Sequence, residues 1–136
     1  MSILKAGQSK TYRVQKDAMA EFGYELKFGM RGGYKLNENT IVWFPNLTED
    51  EEEIAVRGFG NVEKREDIIE IAATEKGLNG SLNTISMHRI AFSRKGRGEP
   101  YKFEGLYKYD GVDRTNRRIT WKCIATEINT KDYLVK

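Results

Sequence analysis

Tyr101, Phe103, Gly105, Tyr107 and Tyr109 alternate with Lys102, Glu104, Leu106 and Lys108 in the carboxy-terminal half of the sequence. Period two over nine residues predicts a β-strand with its rings on one face. Such a face either packs a core or offers a platform on which nucleobases stack, each stacked base being worth roughly 1–3 kcal/mol. The glycine within it would let a ligand or a backbone approach closely. Cations flank this strand on both sides. Arg94, Lys95 and Arg97 sit on a glycine-containing loop before it, and Arg114, Arg117 and Arg118 follow it. Guanidinium and ammonium groups hold phosphates while rings take bases, so the segment has the ingredients of a nucleic-acid surface. Its candidate residues are Arg94, Lys95, Arg97, Tyr101, Tyr107, Tyr109, Arg114, Arg117 and Arg118.

Other chemistries fare less well. The chain has one histidine, His88, and one cysteine, Cys123, which is too few soft ligands for a zinc site. A lone cysteine forms no internal disulfide, in keeping with a reducing compartment. No phosphate-gripping Gly-x-x-x-x-Gly-Lys-Ser/Thr loop and no complete set of catalytic residues is evident, so no cofactor, no metal and no enzymatic activity are expected. Arg31-Gly32-Gly33-Tyr34 supplies a second glycine-rich turn, suited to a tight bend near a ligand.

Charge is distributed unevenly. Between Asn46 and Glu75 there are 10 acids against 3 bases, and between Thr84 and Lys122 there are 10 bases against 4 acids. A dipolar surface of this kind can steer a polyanion to one side. Thr48 is a candidate N-cap for a short helix opening on the acids Glu49 to Glu53.

The elements that would position these groups are mostly strands. Thr84–Arg94, the aromatic strand opened by Pro100, and Arg117–Ile128 form an antiparallel meander, with a hairpin loop at 95–98 and a polar turn beginning at Asp110-Gly111. Gln15–Phe22 suits a short helix, and Tyr24–Phe28 and Thr40–Phe44 suit strands, with Trp43 and Phe44 as core. Asp67 and its neighbours from Glu66 to Thr74 fit strand or helix, and Glu75-Lys76 reads as loop. With 136 residues and 39% hydrophobic content the chain fits a single domain, 1–136. Its expected class is α+β and mainly β: an antiparallel curved sheet or partly open β-barrel with one to three short helices. No apolar run approaches the roughly 20 residues that span a bilayer, and no secretory signal opens the chain, so a cytoplasmic protein is expected.

Gly32-Gly33-Tyr34, then Ser86 through Lys95, then Tyr101 through Lys108 resembles, in that order, the SRA domain, also called YDG, a PUA-like family that binds modified DNA. The resemblance implies a curved β-barrel that grips duplex DNA and flips a modified cytosine into an aromatic pocket. Flipping costs a few kcal/mol of stacking, which pocket contacts and phosphate clamps must offset. It further implies Tyr34 and Tyr107 or Tyr109 as stacking rings, Asn37, Glu38 or Asp110 on the base edge, and Arg94, Lys95 and Arg97 on phosphates. Lys35, Leu36, Asn37 and Glu38 stand where the family carries paired acids, and Glu104 stands where it carries Asp. The expected function is a DNA-binding module of a bacterial or phage restriction-type defence system. The alternative is a small phage-type inhibitor of a nuclease or other defence protein, whose acidic stretch 49–75 imitates DNA.

Overall fold

The protein was studied as a computed structural model that describes residues 2–27, 31–48, 60–64 and 67–134. The strands are β1 (Ile3–Lys5), β2 (Gly33–Asn37), β3 (Thr40–Trp43), β4 (Leu47–Thr48), β5 (Gly60–Lys64), β6 (Asp67–Ile71), β7 (His88–Ser93), β8 (Lys102–Asp113), β9 (Arg118–Ala125) and β10 (Glu127–Asn129). Two helices, α1 (Gln15–Ala20) and α2 (Glu75–Leu82), and a final 3-10 turn (Thr130–Tyr133) complete the described elements. Eight strands form one sheet in the order β2-β3-β7-β8-β9-β6-β5-β4, while β1 and β10 pair separately.

The meander β7-β8-β9 is antiparallel, as its period-two pattern predicts. The sheet as a whole is mixed, because β3 runs parallel to β7 and β4 parallel to β5. Past β3 the chain stays against β7: Arg94 N–H donates to Pro45 and Leu47 N–H donates to Arg94. The β4 edge thereby returns to the end of β7, and the sheet curls into a partly open barrel with β2 as an outer flap. Side chains of β3, β4, β6, β7, β8 and β9 converge inside this curl, around Trp43, Leu47, Ile68, Ala91, Tyr107 and Trp121, with Leu78 of α2 set among them. The opposite face of the same strands carries a second cluster around Val42, Phe44, Ile90, Phe92 and Phe103, covered by α1 and the first strand.

Several sequence expectations change. Tyr24–Phe28 forms no strand over its described part: Gly23 (φ +68°) turns the chain out of α1, and Leu26 drops into the outer cluster. The strand expected from Thr84 begins only at His88, because 84–87 close a turn after α2. Asp110-Gly111 is not a turn. β8 passes through it to Asp113 by a bulge in which Gly111 takes φ +122°, and the chain reverses over 114–117, where Asp113 accepts from the backbone and side chain of Asn116. The strand expected over Arg117–Ile128 divides into β9 and β10 at Thr126. Asp67–Ile71 is a strand because it pairs with β5 and β9. Glu75-Lys76 opens α2 instead of a loop, with the Thr74 hydroxyl accepting from Gly77 N–H at 3.0 Å. The acids Glu49 to Glu53 and their expected helix lie outside the described residues.

The aromatic strand departs most. Phe103 pairs with Phe92 and Gly105 with Ala91, so Glu104 is an extra residue and the side chains beyond it change face. Tyr101 and Phe103 therefore join the outer cluster, while Tyr107 and Tyr109 belong to the barrel interior.

Candidate nucleic-acid interface

Pockets favour the mouths of β-barrels, and here a cleft of about 740 Å³ opens where β2 and β3 face the end of α2. Trp43 of the inner cluster forms its aromatic wall, Tyr24 and Tyr34 border it while packing with the outer cluster, and its polar lining includes Glu70, Ser81, Thr84 and Arg89. Gly33 stands at the lip. A Cβ there would lie 3.0 Å from the Ile41 methyl and 3.2 Å from the Val42 carbonyl, so a side chain would require Ile41 or the β2–β3 spacing to give by a few tenths of an ångström.

The polar floor is built by strand placement. Arg89 is the second residue of β7 and points into the barrel, where its guanidinium sits 3.6 Å from the Trp121 ring centre and 4.7 Å from that of Trp43. Desolvated contacts of this kind are worth about 2 kcal/mol or more. One terminal nitrogen donates to Glu70 Oε1 at 3.2 Å and the other to Thr84 Oγ1 at 3.2 Å. Trp121 Nε1 also donates to Glu70 Oε1, and Ser81 Oγ donates to Glu70 Oε2 at 2.8 Å. Burial pulls the Arg89 pKa below its ordinary value, opposed by the charge and hydrogen bond of Glu70. The cluster ties β6, β7 and β9 to α2 and the turn after it.

Tyr34 is buried and borders the cleft, but its ring packs in the outer cluster against Phe44 and Tyr24. Its hydroxyl donates to Gln15 Oε1 at 2.7 Å and accepts from Arg31 N–H, which anchors the Arg31-Gly32-Gly33 bend to α1. Tyr107 is buried in the barrel interior, and Tyr109 is half-buried edge-on to Trp121. Tyr101 is buried in the outer cluster, its hydroxyl accepting from Gln15 and its ring capped by Arg94 at 4.7 Å. These placements correct the expectation of one open aromatic face: Tyr101 and Tyr107 fill interiors, because the β8 bulge divides the rings between two cores. Gly105 (φ +144°) serves the same bulge, since a Cβ there would lie 2.7 Å from the Ala125 carbonyl.

The cations fall into two sets. Lys95 and Arg97 are exposed on the β7–β8 loop, while Arg94 is half-buried with Nε donating to Asn46 at 2.7 Å. Arg114 and Arg117 are exposed and Arg118 half-buried at the β8–β9 turn. A strand rises about 3.3 Å per residue, so the 12 residues of β8 keep the two sets far apart. The start of β7 and the end of β6 lie towards the β8–β9 turn, which puts Arg114, Arg117 and Arg118 at the end of the sheet that carries the cleft. Asp110 is exposed near that end, and Asn37 and Glu38 are exposed in the β2–β3 turn, where Asn37 Oδ1 accepts from Asn39 N–H. None of these three lines the cleft.

Sequence reasoning treated Trp43 as core and Glu70 as one acid among many, and it missed the role of Arg89. The usable signal was an arginine directly beside the apolar run Ile90-Ala91-Phe92, where a strand buries both faces and a charge needs a reason.

No curated protein matches the chain. Among solved structures, the 5-hydroxymethylcytosine-specific restriction enzyme AbaSI shares this fold with a TM-score of 0.74 and 24% sequence identity, over 98% of this chain and 44% of that one. This chain therefore spans less than half the length of that enzyme. The inhibitor alternative finds no support in these comparisons, and its central acids lie outside the described residues. The model of the SET and RING associated domain matches residues 8–130, nearly the full length of the sequence, and so the chain belongs to the SRA family.

Proposed function

We propose that this chain is the DNA-binding module of a restriction-type system and receives a modified cytosine, flipped out of a duplex, in the cleft between β2–β3 and α2. The observation that carries the reading is the cleft itself: a tryptophan wall and a fixed polar floor at the mouth of an SRA-family barrel. The fold shared with a 5-hydroxymethylcytosine-specific restriction enzyme supports the choice of base. A flipped base exchanges stacking in the duplex for contact with the Trp43 wall of the cleft and hydrogen bonds along its edge. Arg114, Arg117 and Arg118 take phosphates beside the cleft, and Arg94, Lys95 and Arg97 offer a second contact at the other end of β8. The module binds and does not cut.

Fluorescence-polarisation titrations with duplexes that differ only in one cytosine, plain, 5-methyl or 5-hydroxymethyl, test this reading. Tighter binding of a modified duplex is expected, with affinity falling as salt rises because phosphate contacts release counterions. Equal affinity for all three duplexes, or binding indifferent to salt, would count against it. A 2-aminopurine placed next to the modified base brightens if that base leaves the stack.

A further inference from the structure

A guanidinium taken out of water is costly unless partners surround it. Arg89, at 5% exposure, is the one charged residue buried among the described residues, and its Nε, sealed from solvent, has no hydrogen-bond partner among them. Apolar side chains of similar size often serve a core as well as a buried ion pair, so this arrangement points to a task beyond stability. Glu70 suggests which task. A carboxylate has about four acceptor positions. Arg89 and Trp121 take two on Oε1, and Ser81 takes one on Oε2. One position on Oε2 is left over among the described residues, and this carboxylate, 21% exposed, lines the cleft.

We infer, on the reading of the cleft as a base pocket, that the base edge is read from β6: Glu70 accepts from an exocyclic amino group, and Arg89 is the positioning residue that fixes both the carboxylate and the Trp43 wall. The turn residues Asn37 and Glu38 do not take this part, because they stand outside the cleft. A cytosine-type edge offers an N4 amino donor to the open lone pair. A uracil-type edge offers O4, which meets the carboxylate lone pair to lone pair and is rejected. Specificity for the amino group therefore comes from a residue that has three other hydrogen bonds to hold it still.

The test is a titration of the whole chain with duplexes carrying 5-hydroxymethylcytosine, 5-hydroxymethyluracil or plain cytosine at one site, each in its matched pair. The wild type is expected to favour 5-hydroxymethylcytosine over 5-hydroxymethyluracil by about tenfold or more, the scale of one good base-edge contact. In Glu70→Gln, whose amide can turn either its donor or its acceptor to the base, the ratio is expected to drop to about threefold or less. Comparing ratios between the two proteins cancels the different cost of opening the two pairs. Arg89→Lys keeps the charge and loses the planar clamp, so it should lower the ratio and shift the tryptophan emission. If Arg89→Lys fails to fold by circular dichroism, the isosteric Glu70→Gln decides alone. An unchanged ratio in Glu70→Gln overturns the assignment, as does a wild type that prefers 5-hydroxymethylcytosine to cytosine yet treats it like 5-hydroxymethyluracil. A wild type that does not separate 5-hydroxymethylcytosine from cytosine instead brings down the base-pocket reading, and this inference with it.

Discussion

The two faces of the β3-β7-β8 sheet use aromatic residues to opposite ends. On the outer face Phe92 is fully buried, with Tyr12, Phe22, Phe44 and Phe103 ring centres between 5.2 and 6.1 Å away, and charges stand at the margin, Arg94 over the Tyr101 ring and Lys10 over the Tyr12 ring. On the inner face Trp43 and Trp121 stand 6.0 Å apart with a charged guanidinium against both. The first arrangement maximises burial. The second holds a cation and an acid in place at the edge of a cleft, which costs desolvation and gains a fixed geometry. On the proposed reading one backbone divides its labour: stability on the face covered by α1, recognition on the face that opens at α2.

That division is broken most directly by cutting each centre. Phe92→Ala is expected to cost about 3–5 kcal/mol, because neighbouring rings cannot collapse into the space. Below its unfolding transition the variant should bind DNA as the wild type does. Arg89→Met is expected to cost about 1–3 kcal/mol, since it leaves Glu70 short of a donor, and pairing it with Glu70→Gln should recover part of that loss. Preference for a modified duplex should be lost in both Arg89 proteins. Urea denaturation beside polarisation titrations separates the two axes. Loss of stability and of binding in proportion across all three variants would mean that the two faces are one unit.

The bulge that separates the faces gives the next effect. Gly105→Ala places a methyl group 2.7 Å from the Ala125 carbonyl and 3.0 Å from Cys123 Sγ, at φ +144°. The backbone conformation alone costs about 1–3 kcal/mol, and the clash adds to it. The denaturation midpoint should fall, and faster amide exchange should appear in β8 and β9 together. A variant as stable as the wild type would show that the strand can do without the bulge.

Gly105 also marks how far the sequence could be read. Alternation identified the β7-β8-β9 meander because side-chain period is a local property. It assigned the five positions from Tyr101 to Tyr109 to one face, since a bulge inserts a residue without disturbing the pattern on either side. The helix α2 went unseen because Gly77 and Gly80 dilute its propensity, although Thr74 is a proper cap. Gly32-Gly33-Tyr34 announced the lip of the cleft. The floor was hidden for a different reason. Glu70 and Arg89 are 19 residues apart on strands that are not neighbours in the sheet, so only the curl of the barrel brings them together.

The outer face has its own charged group at its margin, and it supplies the smallest test. Glu21, next to the end of α1, accepts from Ser2 Oγ at 2.9 Å and Tyr12 Oη at 2.9 Å, with Lys10 at 3.5 Å. Burial pushes this carboxyl up, and the hydrogen bonds from Ser2 and Tyr12 with the charge of Lys10 more than reverse it, so its pKa lies below the ordinary 4.5. A carboxylate whose folded pKa is depressed binds fewer protons in the native state than in the unfolded one. Its contribution is therefore complete above about pH 4.5 and disappears as pH falls through the lower folded value. Glu21→Gln should flatten the acid limb of a stability-against-pH curve in that window. It should leave DNA affinity at neutral pH unchanged, because the group ties the amino terminus to α1 and does not line the cleft. An acid limb as steep in Glu21→Gln as in the wild type would assign that sensitivity to another carboxylate.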